Sequence, residues 1–224
     1  MRIAVLGAGN GGQAMAAYLA LKGAQVNLYN RSQDRCVAIR KLGGINLSGL
    51  CKGFGRLNLV TSRVELAIRD AELIMVVTPA VAHRSLARKM APYLRDGQII
   101  ILNPGRTGGA LEFYSELVKS NCRADVAIAE TQTFLFASRI IGPAEVRIYG
   151  KKERVFIATF PSKRIWDFID DIQELLPEFT PVENVLKTSL DNIGAIFHPA
   201  PTLLNIAWIE SPEDFNFYKQ GISP

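Results

Sequence analysis

Short apolar runs alternate with stretches of helical spacing from the N-terminus to Glu130. Ile3 to Leu6, Val26 to Tyr29, Leu73 to Val77, Ile99 to Leu102 and Val126 to Ala129 each read as a buried strand. They are too short for helices, and most are bounded by turn residues. Between them, Gln13 to Lys22, Gln33 to Lys41, Ala80 to Tyr93 and Ala110 to Lys119 carry helical spacing, and Gly23 reads as a C-cap of the first. Strands that are apolar throughout are covered on both faces, and a βαβα rhythm assembles them into a parallel sheet. The predicted class is α/β, with a doubly wound, mostly parallel sheet.

After Glu130 the rhythm changes. Val146 to Tyr149 and Val155 to Thr159 flank Gly150-Lys151-Lys152-Glu153, which reads as a hairpin at the sheet edge. Ser162 is placed to cap a helix through Leu175, which Pro177 closes off. A second helical stretch starts near Val182 and runs through Lys187 and Asn192 to Phe197. His198-Pro199-Ala200-Pro201 then breaks it, and helical spacing resumes at Leu203 to Ile209. The expected organisation is a first domain over residues 1–180 and the beginning of a helical second domain over 181–224, its remainder absent. Leu203, Leu204, Ile206, Ala207 and Trp208 are then expected to be exposed.

The opening strand leads into Gly7-Ala8-Gly9-Asn10-Gly11-Gly12, and a helix follows. Gly-x-Gly-x-x-Gly in that setting marks the phosphate turn of a Rossmann-type dinucleotide site. Gly7 permits the tight turn, Gly9 lets backbone approach a pyrophosphate, and Gly12 lets the helix pack closely on the strand. The helix start offers unpaired N–H groups and its positive dipole end to the phosphates. All six residues, Ala8, Asn10 and Gly11 included, are cofactor-binding candidates. A glycine turn without a ligand is the competing account, and the position of the motif after the first strand argues against it.

The end of the second strand selects the cofactor. NAD sites place Asp or Glu there, against the ribose 2′-hydroxyl. This strand ends in Tyr29-Asn30-Arg31-Ser32, with no carboxylate. Arg31 and Ser32 suit a 2′-phosphate, because a guanidinium is a planar fork of donors. Arg35 and Arg40 add charge, and Asp34 works against it. NADP is therefore the expected cofactor, with NAD the alternative. Thr78-Pro79-Ala80 and Asn103-Pro104-Gly105-Arg106 follow other strands, at the carboxyl ends where such sheets bind ligands. Thr78, Pro79 and Pro104 are candidates for ribose and nicotinamide contact, and Arg106 for a substrate carboxylate. Plain turn chemistry competes at each.

Composition narrows the partners. With 48% hydrophobic and 21% charged residues, the chain suits a globular core rather than disorder. The net charge of +5 is scattered without a basic block, which argues against nucleic acid and suits small anions. Cys36, Cys51 and Cys122 lack Cys-x-x-Cys spacing. No metal site and no disulfide framework is expected, and a reducing, cytoplasmic setting fits. No apolar run approaches the ~18 residues of a membrane span. Gly7 to Gly12 interrupt the apolar opening before it resembles a signal peptide.

Two histidines occur, His83 and His198. Imidazole titrates near neutrality and suits proton transfer during carbonyl or imine reduction. His198 sits in an apolar helical run just before a proline, and reads equally as an acid/base or as a cap on a broken helix. His83, beside Arg84 early in a helix, reads as a surface residue. Asn192 reads as a group orienting nicotinamide or substrate, or as a donor bridging helix turns.

Several stretches together resemble the opine dehydrogenases, the octopine/nopaline dehydrogenase family. They are the glycine loop, Asn103-Pro104-Gly105-Arg106-Thr107-Gly108-Gly109-Ala110-Leu111-Glu112-Phe113, Ala129-Glu130-Thr131 and Asp191-Asn192-Ile193-Gly194-Ala195-Ile196-Phe197-His198-Pro199. The resemblance runs from Met1 to about Ile209. It implies reductive condensation of an amino acid with a 2-oxo acid, using a reduced nicotinamide. It maps the family's catalytic histidine onto His198. The family's partner aspartate and carboxylate-binding arginine fall beyond this sequence. Relatives often read Glu-Thr-Leu-Pro-Tyr/Trp-Ala-Cys-Arg in the substrate-side loop, where this chain has Glu130-Thr131-Gln132-Thr133-Phe134-Leu135-Phe136-Ala137-Ser138-Arg139. Leu135 replaces the proline and Ser138 the cysteine, so either Thr131 or Thr133 is the threonine facing substrate. The implied partners are an amino acid and a 2-oxo acid, with a homodimer also expected.

Two other functions compete. One is a two-domain reductase of a simple oxo acid or ketone, similar to ketopantoate reductase or glycerol-3-phosphate dehydrogenase, with Lys187 or His198 as acid. The other is a non-catalytic dinucleotide-sensing module.

Overall fold

The computed structural model describes residues 1–191, 193–213, 215–217 and 219–222. The chain divides into two compact units, Met1–Leu190 and Asp191–Pro224. The first unit begins β1 (Arg2–Leu6), α1 (Asn10–Leu21), β2 (Gln25–Tyr29), α2 (Asp34–Leu42), β3 (Gly44–Gly49), β4 (Gly53–Arg56), β5 (Leu59–Thr61) and α3 (Val64–Ile68). It continues with β6 (Leu73–Val76), α4 (His83–Met90), β7 (Ile99–Leu102), α5 (Gly109–Lys119), β8 (Ala127–Thr131), β9 (Phe136–Gly142) and β10 (Glu145–Lys151). It closes with β11 (Val155–Phe160), α6 (Ile169–Leu175), β12 (Phe179–Pro181) and α7 (Val185–Leu190).

Eight strands form one sheet in the order β12-β11-β8-β7-β6-β1-β2-β5. All its pairs are parallel except β11 with β8. Alternate residues of β1 feed two cores, as burial on both faces requires. Ile3 and Val5 join the layer containing Met15 and Leu19 of α1, while Ala4 and Leu6 join the layer containing Leu86 of α4 and Phe113 of α5. Each fully buried aliphatic side chain of this kind stabilises the fold by about 1.5–3 kcal/mol.

A second sheet, in the order β4-β3-β10-β9, lies on the far side of α1. That helix, rich in alanine, is enclosed between the two sheets. Val146 and Ile148 of β10 and Val155 and Ile157 of β11 point into one core from different sheets. The expected hairpin is therefore wrong. β10 pairs antiparallel with β9 and parallel with β3, whereas β11 pairs with β8 and β12. Two strands lining one core show the same alternation whether or not they are hydrogen-bonded to each other.

Other elements differ from expectation more locally. Gly23 does follow the end of α1, at φ +91°, with its N–H on the Ala20 carbonyl at 3.0 Å. Ser162 opens a 3-10 segment, Ser162–Asp167, without a side-chain cap, and α6 begins only at Ile169. α7 packs on β8 and β11, and by packing the first compact unit runs to Leu190.

The second unit contains α8 (Ile193–Phe197), α9 (Pro199–Leu204) and α10 (Ile206–Ile209). The helix breaks at His198, as expected, but helical structure resumes at once, because Pro199 starts α9. At the first helical position its missing N–H costs nothing. Leu203, Leu204, Ile206 and Trp208 are exposed.

Candidate active site

The glycine loop joins β1 to α1 with the geometry that a dinucleotide phosphate turn requires. Gly7 lies at φ +115°, and a Cβ there would stand 2.5 Å from the Val77 carbonyl oxygen. A Cβ on Gly12 would stand 1.7 Å from the Gly7 oxygen. Gly9, by contrast, faces open space, with nothing within 4 Å of its would-be Cβ. The turn is thus packed shut on the protein side at Gly7 and Gly12 and open on the ligand side at Gly9. No side chain caps α1, and its first backbone bond runs from Gln13 N–H to the Gly9 carbonyl at 3.0 Å. The preceding N–H groups remain available to an anion. Thr78 Oγ1, beside the turn, is buried without a hydrogen-bond partner. An open glycine, uncapped helix donors and an orphaned hydroxyl fit a dinucleotide pyrophosphate and ribose.

Three neighbours shape the loop. Asn30 Oδ1 accepts the Ala8 N–H at 3.1 Å, and its Nδ2 donates to the Ser32 carbonyl at 3.0 Å. Asn30 therefore folds the β2 terminus onto the loop. Asn10 Oδ1 accepts the Ile140 N–H at 2.9 Å, tying the loop to β9. The Phe134 ring covers Gly11 so closely that a Cβ there would meet it at 2.9 Å. A cleft of about 630 Å³ opens beside the loop, lined by Gly9, Asn10, Gln13, Asp34, Arg35 and Ile140. Arg31 and Ser32 are exposed at the β2 terminus, and Arg40 donates to the Val60 carbonyl at 3.1 Å.

Pro79 is exposed and Pro104 half-buried. Behind the Pro104 loop lies a polar cluster that the sequence reading missed. Its centre is Glu130, fully buried at the end of β8. Oε1 accepts from Thr188 Oγ1 at 2.7 Å and Ser189 Oγ at 2.6 Å, and Oε2 accepts from Ala110 N–H at 2.7 Å. Burial pushes the Glu130 carboxyl up, against the lowering effect of these three donors. Thr131 is also fully buried, and its hydroxyl donates to Asn103 Oδ1 at 2.9 Å. Thr133 stays half-buried and takes Lys152 Nζ on its hydroxyl at 2.7 Å. Arg106 is exposed at φ +62°.

His83 contradicts its expected surface position. It is fully buried at the start of α4, with Nε2 3.3 Å from the Thr78 carbonyl and Nδ1 unpartnered. Arg84 and Arg88 occupy the outward side of α4 and pair with Glu112 and Glu116 of α5, which leaves His83 on the inward side. Burial holds the imidazole below its ordinary range, with the Thr78 carbonyl acting against it. Lys187 is exposed and ion-paired with Glu183 at 3.1 Å, which weakens its candidacy as a buried acid.

In the second unit, His198 is exposed at the N-cap of α9. Its N–H donates to the Gly194 carbonyl at 3.1 Å, and its ring lies 5.8 Å from that of Phe217. Asn192 lies outside the described residues.

Comparison with known proteins places these features in a family. Residues 2–131 match the model described as NAD-dependent glycerol-3-phosphate dehydrogenase N-terminus. Residues 181–224 match NAD/NADP octopine/nopaline dehydrogenase, alpha-helical domain. An opine dehydrogenase of Arthrobacter sp. (strain 1C) is 43% identical over 222 residues, covering 99% of this chain and 62% of that protein. A glycerol-3-phosphate dehydrogenase of Moorella thermoacetica is 35% identical over 106 residues, 44% of this chain and 30% of its own. An octopine dehydrogenase solved with NADH and pyruvate superposes with TM-score 0.79 at 22% identity, covering 95% of this chain and 57% of its own. The chain thus spans under two thirds of the length of these relatives. Among the described residues no helix is long and apolar enough to cross a membrane. The chain belongs to the NAD-dependent glycerol-3-phosphate dehydrogenase N-terminal family, whose model matches more than half of it, and along its length it is similar to opine dehydrogenases.

Proposed function

We propose that the protein is an opine-type dehydrogenase, condensing the amine of an amino acid with a 2-oxo acid such as pyruvate under NADPH-dependent reduction. The observation that carries this reading is the opine dehydrogenase match, which covers 99% of the chain and so takes in the glycine loop, the Glu130 strand end and the His198 helix. The open face of Gly9 and the donors at the start of α1 hold the pyrophosphate. Arg31 and Ser32, with Arg35 in the adjoining cleft, favour a 2′-phosphate over a bare ribose hydroxyl. Thr78 lends its buried hydroxyl to the ribose side. The bound nicotinamide supplies a hydride.

The remaining steps belong to the side chains. The amine adds to the C2 carbonyl and water departs, leaving a protonated imine that keeps one hydrogen on nitrogen. His198 polarises the carbonyl oxygen and delivers the proton on which loss of water depends. Reduction places one hydrogen on C2, and the nitrogen keeps its proton. Arg106 binds a carboxylate beside Thr133, and Asn192 orients the reacting groups. Free cysteines at positions 36, 51 and 122 support a cytoplasmic setting.

The test is NADPH oxidation with pyruvate alone, and with pyruvate plus a panel of amino acids. Oxidation is expected only when an amine is present. Equal rates without an amine would replace this reading with simple oxo-acid reduction.

A further inference from the structure

Lys151 and Lys152 are neighbours with different partners. Lys151 is ion-paired at 2.5 Å with the buried Glu178. Lys152 donates its ammonium to Thr133 Oγ1 at 2.7 Å and its backbone N–H to the Leu135 carbonyl at 3.0 Å. These bonds clamp the β10–β11 turn onto the loop that leaves β8. On the other side, Gly105 N–H donates to the Thr131 carbonyl at 3.1 Å, and Arg106 is the next residue. Arg106 thus follows a residue bonded to the strand end two positions before Thr133, while Lys152 is bonded to Thr133 itself. Burial of its head group and the nearby Arg106 guanidinium both hold the Lys152 ammonium below the ordinary lysine range, although the residue as a whole is exposed. Among the described residues, carboxylates pair with Arg2, Arg63, Arg84, Arg88, Arg95, Lys151, Arg164 and Lys187, and with neither Arg106 nor Lys152.

We infer that Lys152 and Arg106, with the Thr133 hydroxyl, form a carboxylate subsite, and that Lys152 is a substrate-binding residue. Two cations held close without a counter-ion repel each other. A carboxylate between them relieves that repulsion and gains charge-assisted hydrogen bonds. Thr133 accepts from Lys152 and keeps its own hydrogen to donate. The identity of the ligand, a 2-oxo acid or an amino acid, rests on the opine-type reading; the affinity for a carboxylate does not.

The experiment is an NMR titration of the NADPH-loaded protein with pyruvate, with L-alanine and with uncharged pyruvamide. In Lys152→Met, the Kd of pyruvate or of L-alanine, whichever uses the subsite, is expected to rise about tenfold. Lys152→Arg is expected to restore it to within about threefold. Pyruvamide and NADPH binding are expected to be unchanged. Lys152→Gln serves if Lys152→Met does not fold. Unchanged carboxylate affinity, or an equal loss for pyruvamide, overturns the inference. Lys152-dependent carboxylate binding without condensation of any amine would keep the subsite and sink the opine-type reading. Condensation with Kd values insensitive to Lys152 would do the reverse.

Discussion

Ser189 Oγ donates to Glu130 Oε1 at 2.6 Å and accepts the Gly108 N–H at 2.9 Å. One hydroxyl on α7 thereby links the carboxylate at the end of β8 to the turn that starts α5. The same carboxylate takes Ala110 N–H at 2.7 Å, so Glu130 organises the base of the loop carrying Pro104 and Arg106. Its removal leaves three buried donors to find new partners. Glu130→Ala is expected to cost about 3 kcal/mol, read by urea denaturation. A loss below about 1 kcal/mol would show that the cluster is not needed to hold the loop.

The two sides of the glycine turn predict opposite phenotypes. A Cβ at Gly12 collides with backbone 1.7 Å away, so Gly12→Ala is expected to lose folded yield and cofactor binding together. A Cβ at Gly9 meets nothing in the protein. Gly9→Ala is expected to keep its melting temperature and weaken NADPH binding about tenfold or more, read by nucleotide fluorescence. Full affinity in a folded Gly9→Ala protein would move the pyrophosphate elsewhere.

Cofactor choice rests on the β2 terminus. The double variant Arg31→Ala, Arg35→Ala is expected to weaken NADPH binding about tenfold or more while NADH stays within about twofold. Parallel losses for both nucleotides would contradict the 2′-phosphate assignment.

The buried imidazole predicts a pH signature. Its folded pKa lies below the ordinary value of 6.5, so below that pH the unfolded chain binds the proton more readily. Stability contributed by neutral His83 is therefore present above pH 6.5 and lost as pH falls toward the folded value. Glu130, whose carboxyl is pushed up, works with opposite sign, gaining relative stability as pH falls. The difference between the protein and His83→Gln isolates the histidine. That difference is expected to shrink between pH 7.5 and pH 5.5 in thermal melts, about the window the imidazole spans. A constant difference would mean that His83 does not titrate on unfolding in this range.

The legible parts of the sequence were those with one dominant periodicity. The five predicted strands recur in the large sheet, because strands buried on both faces must be apolar at every position. Of the small sheet only β10 was legible, as the run Val146 to Tyr149. β3 and β4 contain Gly44, Gly49, Gly53 and Gly55, which lack the side chains that make alternation visible. His83 was misplaced because a charged neighbour on a helix says nothing about the residue beside it, about 100° around the axis. Extension of β8 to Thr131 buries Glu130, and no local pattern distinguishes a buried carboxylate from a solvated one without its donors. Thr188 and Ser189 lie some sixty residues from Glu130 in sequence, beyond any local signal.

The central claim, that the glycine loop presents a hydride donor to an imine, is tested most directly by isotope transfer. The protein is incubated with NADPH deuterated at the transferring position of C4, a 2-oxo acid and an amino acid, and the products are weighed by mass spectrometry. The account predicts a secondary amine carrying one deuterium, at the carbon that was the oxo-acid carbonyl. A deuterated 2-hydroxy acid, formed equally well without the amino acid, would contradict it.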